Sequence, residues 1–258
     1  WHEDVTCYKV SDKESGEILG YFYMDLYPRE GKYDHAAAFS LKDTYMIGGK
    51  RSIPVSAMVC NFTRPTKNKP SLLTFSEVLT FFHELGHIFH QLLSKVRFSI
   101  FSGTSVELDF VESPSQALEN WCYEEEFLKR ISSHYKTKKS MPKELMKKIK
   151  ENKHLFQGLS YIRQLVFCYY DLLLHEGGTA DVQKSFIKLQ KELNPLKHGK
   201  ESIPSNFEHI MGGYEAGYYS YIWSEVYAAE IFDLFKSSGD LFNKKIGKKY
   251  RETVLEKG

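Results

Sequence analysis

Over the first 62 residues, apolar and aromatic side chains come in short runs rich in β-formers, at 5–10, 18–27, 35–41 and 53–62. Runs of this length and composition suit strands. Turn-forming residues separate them at Pro28-Arg29-Glu30-Gly31 and at Gly48-Gly49. The pattern predicts a small sheet of three or four strands near the N-terminus. From Thr74 onward the spacing turns helical, over 75–94, 112–131, 142–151, 155–176, 179–193, 218–237 and 240–255. The predicted fold is therefore mainly α, with a small β-sheet region over 1–70 and a helical region over 71–258. No internal repeat and no low-complexity tract interrupts it.

The helix expected over 75–94 is apolar around most of its circumference, through Phe75, Val78, Leu79, Phe82, Leu85, Ile88, Phe89, Leu92 and Leu93, as a buried helix would be. A polar line runs through it: Ser76, Thr80, His83, His87, His90 and Ser94. As plain core residues these histidines would each need a carbonyl or carboxylate, because an unpaired buried polar group costs about 1–3 kcal/mol. His83-Glu84-Leu85-Gly86-His87 is moreover an HExxH motif, which sets two imidazoles one turn apart with a carboxylate beside them. A metal would serve both rings at once and fix their tautomers through the second nitrogens.

Catalytic zinc takes three protein ligands and keeps a position for water, so a third ligand is required. In the extended pattern HExxHxxGxxH the last His supplies it, but Leu93 stands at that position here and His90 falls at the glycine. The ligand is expected from 107–116, which leads into a helix with Pro114 in its first turn. Glu112, Gln116 and Glu119 then share one helix face. Spacing favours Glu112 as the ligand. It leaves Asp109 and Glu119 open as ligand or as support, with His90 a further candidate for support.

A second unusual segment spans 209–221, with four tyrosines and three glycines. Glycines let a backbone bend, while phenols and the imidazole of His209 can donate to an oxyanion. Helical spacing would align Tyr214, Tyr218 and Tyr221 on one wall. The alternative is an aromatic core helix preceded by a glycine turn.

Composition excludes several function classes. The 258 residues (30.0 kDa) are 42% hydrophobic with a mean hydropathy of −0.42, which describes a globular chain with no membrane-spanning run. Thirty-five Lys and Arg against 33 Asp and Glu leave a net charge of +2, which argues against nucleic acid as a partner. Ten basic residues fall between Lys129 and Lys153, and without interleaved aromatics they read as a solvated helical face. Cys7, Cys60, Cys122 and Cys168 form no CxxC pair, which points to a reducing compartment. Aromatic residues make up 15% of the chain. It begins at Trp1, and a missing N-terminus is expected.

The strings FFHELGHIFHQL, FSGTSVELDFVESPSQALENW and HIMGGYEAGYYSYIWSEVYAAEIF resemble the thimet oligopeptidase, neurolysin and saccharolysin family of zinc metallopeptidases. The likeness extends to YFYMDLYPREGKY, AMVCNFTRP and PSLLTFSEV, covering nearly the whole chain. It implies the zincin-type catalytic part, itself incomplete, of a two-lobed helical oligopeptidase that admits short peptides to a channel between its lobes. On this resemblance His83, His87 and Glu112 bind one zinc ion per chain, Glu84 is the general base, and His209, Tyr214 and Tyr221 stabilise the transition state. Tyr218, Gly212 and Gly213 would contact substrate, and Gly212, Gly213 and Gly217 would allow the loop to close.

The expected activity is hydrolysis of internal bonds in short peptides, the 54–61 segment pairing with the substrate backbone as an edge strand. A monomer is expected for the full-length form, in the cytoplasm, or in mitochondria if a leader precedes this chain. The absent first half would leave apolar or aromatic surface exposed and puts the activity of this piece by itself in question. The rival reading, a catalytically silent peptide-binding protein of the same fold, is opposed by the intact HExxH and Glu112.

Overall fold

In the computed structural model, residues 2–177, 181–196 and 207–258 are described. Four strands, β1 (Thr6–Ser11), β2 (Ile18–Asp25), β3 (Ala37–Lys42) and β6 (Val55–Val59), form one sheet in the order β1-β2-β6-β3. β2 and β6 run parallel and the other pairs are antiparallel. Gly48 and Gly49, both at positive φ, turn a separate two-stranded hairpin between β4 (Met46–Ile47) and β5 (Lys50–Arg51). The sequence pattern marks only its turn, because two-residue strands carry no alternation to read.

The 54–61 segment is not an edge strand. β6 bonds to β2 on one side and to β3 on the other, so its backbone groups are already used. The terminal strand on that side is β3. A buried ionic knot closes the loop after β2: Arg29 donates to both oxygens of Asp25 (2.6 and 2.7 Å), and the ammonium of Lys32 lies 3.0 Å from Asp25 Oδ1. Lys32 Nζ also donates to the carbonyls of Asp25, Tyr27 and Cys60, tying β2 to the end of β6.

Helix α1 (Phe75–Leu93) starts at a capping box, in which Thr74 accepts from Glu77 N and the Glu77 side chain accepts from Thr74 N. At its other end Arg51 donates to the carbonyls of Leu92 and Ser94, and also to Leu19 on β2. Such donors satisfy the carbonyls a helix terminus leaves free. One side of α1 packs on the sheet through Ile88 and Leu92 against Phe22, Met58, Cys60 and Phe62, and another side packs on α3 (Ser113–Trp121). Apolar residues around most of the helix follow from this position between two layers.

The periodic segment 112–131 is two α-helices preceded by a short one, α2 (Leu108–Val111). α3 ends in tight turns at Cys122 and Tyr123, and extended backbone at Glu124 redirects the chain into α4 (Glu125–Ile131). The break lets Trp121 pack on Phe232 and Phe235 while Phe127 folds back onto Phe82. Apolar residues continue on both sides of the break, so periodicity does not register it.

α6 (Gln157–His175), α7 (Val182–Leu193), α8 (Ser220–Ser237) and α9 (Lys244–Thr253) fall within the predicted segments, and α5 (Lys143–Asn152) runs one residue past its own. The first two positions predicted for α7 lie outside the described residues. α8 packs on α2 and α3 and buries Ala228, Phe232 and Phe235, while Trp223, Val226 and Leu234 are exposed. The fold is mainly α with a small N-terminal sheet. Among the described residues no helix is long and apolar enough to cross a membrane.

Candidate active site

Gly86 sets the spacing between α1 and α3. A Cβ at this position would lie 2.5 Å from Ser115 Cα and 2.8 Å from the Pro114 carbonyl, so only glycine permits the approach. The close contact brings the ring atoms of His83 and His87 to Glu112, the residue between α2 and α3. Nε2 of His83 and Nε2 of His87 each stand 3.1 Å from the same oxygen, Glu112 Oε2. His83, His87 and Glu112 each present one ligand atom within 4.8 Å of the others.

The supports of the three side chains differ. His83 donates through Nδ1 to Glu119 Oε1 at 2.7 Å, which leaves Nε2 for the cavity. His87 Nδ1 finds no partner among the described residues. The carboxylate of Glu112 accepts from Ser115 Oγ on Oε2 and from Tyr214 Oη on Oε1. Burial opposes charge on both His83 and Glu112, yet their mutual contact prevails, with Glu119 adding to it on His83. The imidazole is held well above its usual range and the Glu112 carboxyl well below.

A cavity of about 790 Å³ opens over these groups. α1 provides His83, Glu84 and His87, the start of β3 provides Ala37 and Ala38, and the segment before α8 provides His209, Gly212 and Tyr214, with Tyr221 from α8 itself. Glu84 is 7% exposed, and burial raises its carboxyl above the usual range against the pull of His83 and His87. His90, one turn further, is fully buried and outside the cavity lining. The carbonyl of Asp109 accepts from Ser224 Oγ, so this residue links α2 to α8 through its backbone.

The tyrosines reach the site by turns. Tyr214 and Tyr218 precede α8, so helical spacing does not align them. Tyr214 and Tyr221 stack with centroids 5.4 Å apart, and His209 makes an edge-to-face contact with each. Burial and the charge of Glu112 push both phenols up, with Tyr221 hydrogen-bonded to Tyr214, so both keep their protons. Burial lowers His209. Tyr218 and Gly213 are not among the residues lining the cavity; Tyr218 packs in a core with Phe167, Tyr170 and Phe207. Gly217 packs against Leu108 of α2. The rim also carries the exposed His35 and Glu208, with His35 Nε2 3.3 Å from Glu208 Oε1 and the exposed Asp34 beside them.

Two contributors escape motif reading: the spacing role of Gly86, and Ser115, which donates to Glu112 Oε2. One further signal is legible outside the motifs: Asp171 of α6 is a lone acid within the apolar run Phe167-Cys168-Tyr169-Tyr170-Asp171-Leu172-Leu173-Leu174, where burial demands partners.

The sequence profile of peptidase family M3 matches residues 1–258. The chain is 44% identical to the thimet-like oligopeptidase of Dictyostelium discoideum and 41% identical to saccharolysin of Saccharomyces cerevisiae. It is 39% identical to oligopeptidase A of Escherichia coli. Each alignment takes in 100% of this chain but only 38–39% of the relative, so the chain spans about two-fifths of their length.

Proposed function

Because the chain belongs to peptidase family M3, we propose that it carries the catalytic site of a zinc-dependent endopeptidase acting on internal bonds of short oligopeptides. The observation that carries this reading is the convergence of His83 Nε2, His87 Nε2 and Glu112 Oε2 at the cavity beside Glu84. Two imidazoles and one carboxylate are a donor set that suits zinc, and a buried carboxylate between two rings is a charge arrangement that a cation would satisfy. His83, His87 and Glu112 would hold the ion. The chemistry zinc supplies when bound is Lewis acidity toward water and the scissile carbonyl.

The remaining work belongs to side chains of this chain. Glu84 takes a proton from the attacking water and returns it to the leaving amine, and its burial moves the carboxyl in the direction a base working near neutral pH needs. Tyr221 and His209 donate to the oxyanion of the tetrahedral state, joined by Tyr214 when its hydroxyl turns from Glu112 Oε1, the two phenols being protonated in their surroundings. An extended peptide pairs with β3, the terminal strand whose first residues line the cavity, and backbone pairing tolerates varied sequence. The four unpaired cysteines suit a reducing compartment, for which we propose the cytosol.

The test is Glu84→Gln. It should retain zinc and lose cleavage of a short quenched peptide, whereas His83→Ala should lose the metal. Normal turnover by Glu84→Gln would sink the role of Glu84. Peptide affinity without turnover in the zinc-loaded wild type would leave a binding protein instead.

A further inference from the structure

Asp171 lies on α6, well away in sequence from every residue of the metal cluster, and is fully buried. Its Oδ1 accepts from Ala216 N at 3.0 Å and its Oδ2 from Tyr218 N at 2.9 Å. Both bonds grip one turn, closed by Gly217 N donating to the Tyr214 carbonyl. Ala216, the third residue of that turn, has a φ of 57°, a conformation that L side chains avoid and that Gly or Asn usually fills. Something outside the turn must therefore hold it, and a buried carboxylate accepting two amides is a strong clamp. His175 Nδ1 donates to the backbone carbonyl of Asp171 at 2.8 Å and lies 3.0 Å from its Oδ1.

The turn begins at Tyr214, whose hydroxyl reaches Glu112 Oε1 and leaves Oε2 to face the two imidazoles. We propose that Asp171 is a positioning residue for this site: by fixing the turn it fixes the Tyr214 hydroxyl, and through it the orientation of the Glu112 carboxylate. This rests on the peptidase reading above for its effect on turnover, but the geometric part stands apart from it.

The experiment compares Asp171→Ala, Tyr214→Phe and the double variant as zinc-loaded proteins. Asp171→Ala should speed amide exchange across 214–220 while leaving α1 unchanged, and should lower kcat by about tenfold to 100-fold at constant zinc content. In the Tyr214→Phe background the added loss should be no more than about twofold, because the two residues act in series. Unchanged exchange across 214–220, or losses that simply multiply, would overturn the proposal. Should Asp171→Ala fail to fold, Asp171→Asn, which keeps one carbonyl acceptor, carries the same comparison at smaller magnitude. If the wild type cleaves no peptide, the peptidase reading fails, and the exchange comparison still decides whether Asp171 holds the turn.

Discussion

Glu119 Oε1 accepts the Nδ1 proton of His83 at 2.7 Å, across the gap between α3 and α1. The contact sets the ring's tautomer and aims Nε2 at Glu112. Carboxylates that back a metal-binding imidazole in this way are worth about 10–100-fold in metal affinity. Glu119→Ala should therefore weaken zinc binding by that factor in a chelator competition, with the fold intact. Unchanged affinity would show that the ring needs no such support.

Tyr214→Phe removes one hydroxyl without changing the ring stack. If Tyr214 donates to the oxyanion, kcat should fall by about 10²–10³-fold with little change in KM, as for other oxyanion donors. A KM effect alone would assign Tyr214 to substrate binding.

The approach of α1 to α3 at Gly86 leaves no room for a methyl group, and the obstructing atoms are backbone. Gly86→Ala should destabilise by about 1–3 kcal/mol or more. It should also lose zinc, since the helices that hold His83 and Glu112 would be forced apart. Calorimetry and metal analysis on the same sample read both effects.

Lys32 is buried against Asp25 and three carbonyls. Arg29 still pairs both oxygens of Asp25 in Lys32→Met, but the three carbonyls lose a donor, so unfolding should become easier by about 1–3 kcal/mol. Chemical denaturation measures this directly.

Burial, with the charge of His87 adding to it, lowers the imidazole of His90 to about 4. Its pKa in the unfolded chain is about 6.5, so the unfolded state binds more protons between these values. The contribution of neutral His90 is thus complete above the unfolded pKa and is lost as pH falls toward about 4. It amounts to about 3 kcal/mol. His90→Leu should flatten the acid side of a stability-against-pH curve by that amount.

Local patterns made much of the fold legible. The apolar spacing of α1 and the β-rich runs depend on near neighbours in the chain, and they locate β1, β2, β3, β6 and most helices within a few residues. Local pattern failed where long-range contacts decide. The break after Trp121 arises because Trp121 and Phe127 pack on different partners, and the interior place of β6 depends on which strands flank it.

By itself the sequence determined the chemistry available: an HExxH on a helix, a carboxylate-rich segment downstream, and a loop of glycines and phenols. Periodicity along one helix is enough to place His83 and His87 on a common face. Only the tertiary structure decided which acid meets them. Glu112 reaches both rings and Glu119 backs one of them because Gly86 allows α3 to lie against α1. It likewise decided that Tyr214, 102 residues further along, meets Glu112 through a turn gripped by a buried acid on another helix. Spacing rules reach a few residues along one element, whereas these contacts depend on how closely separate elements can pack.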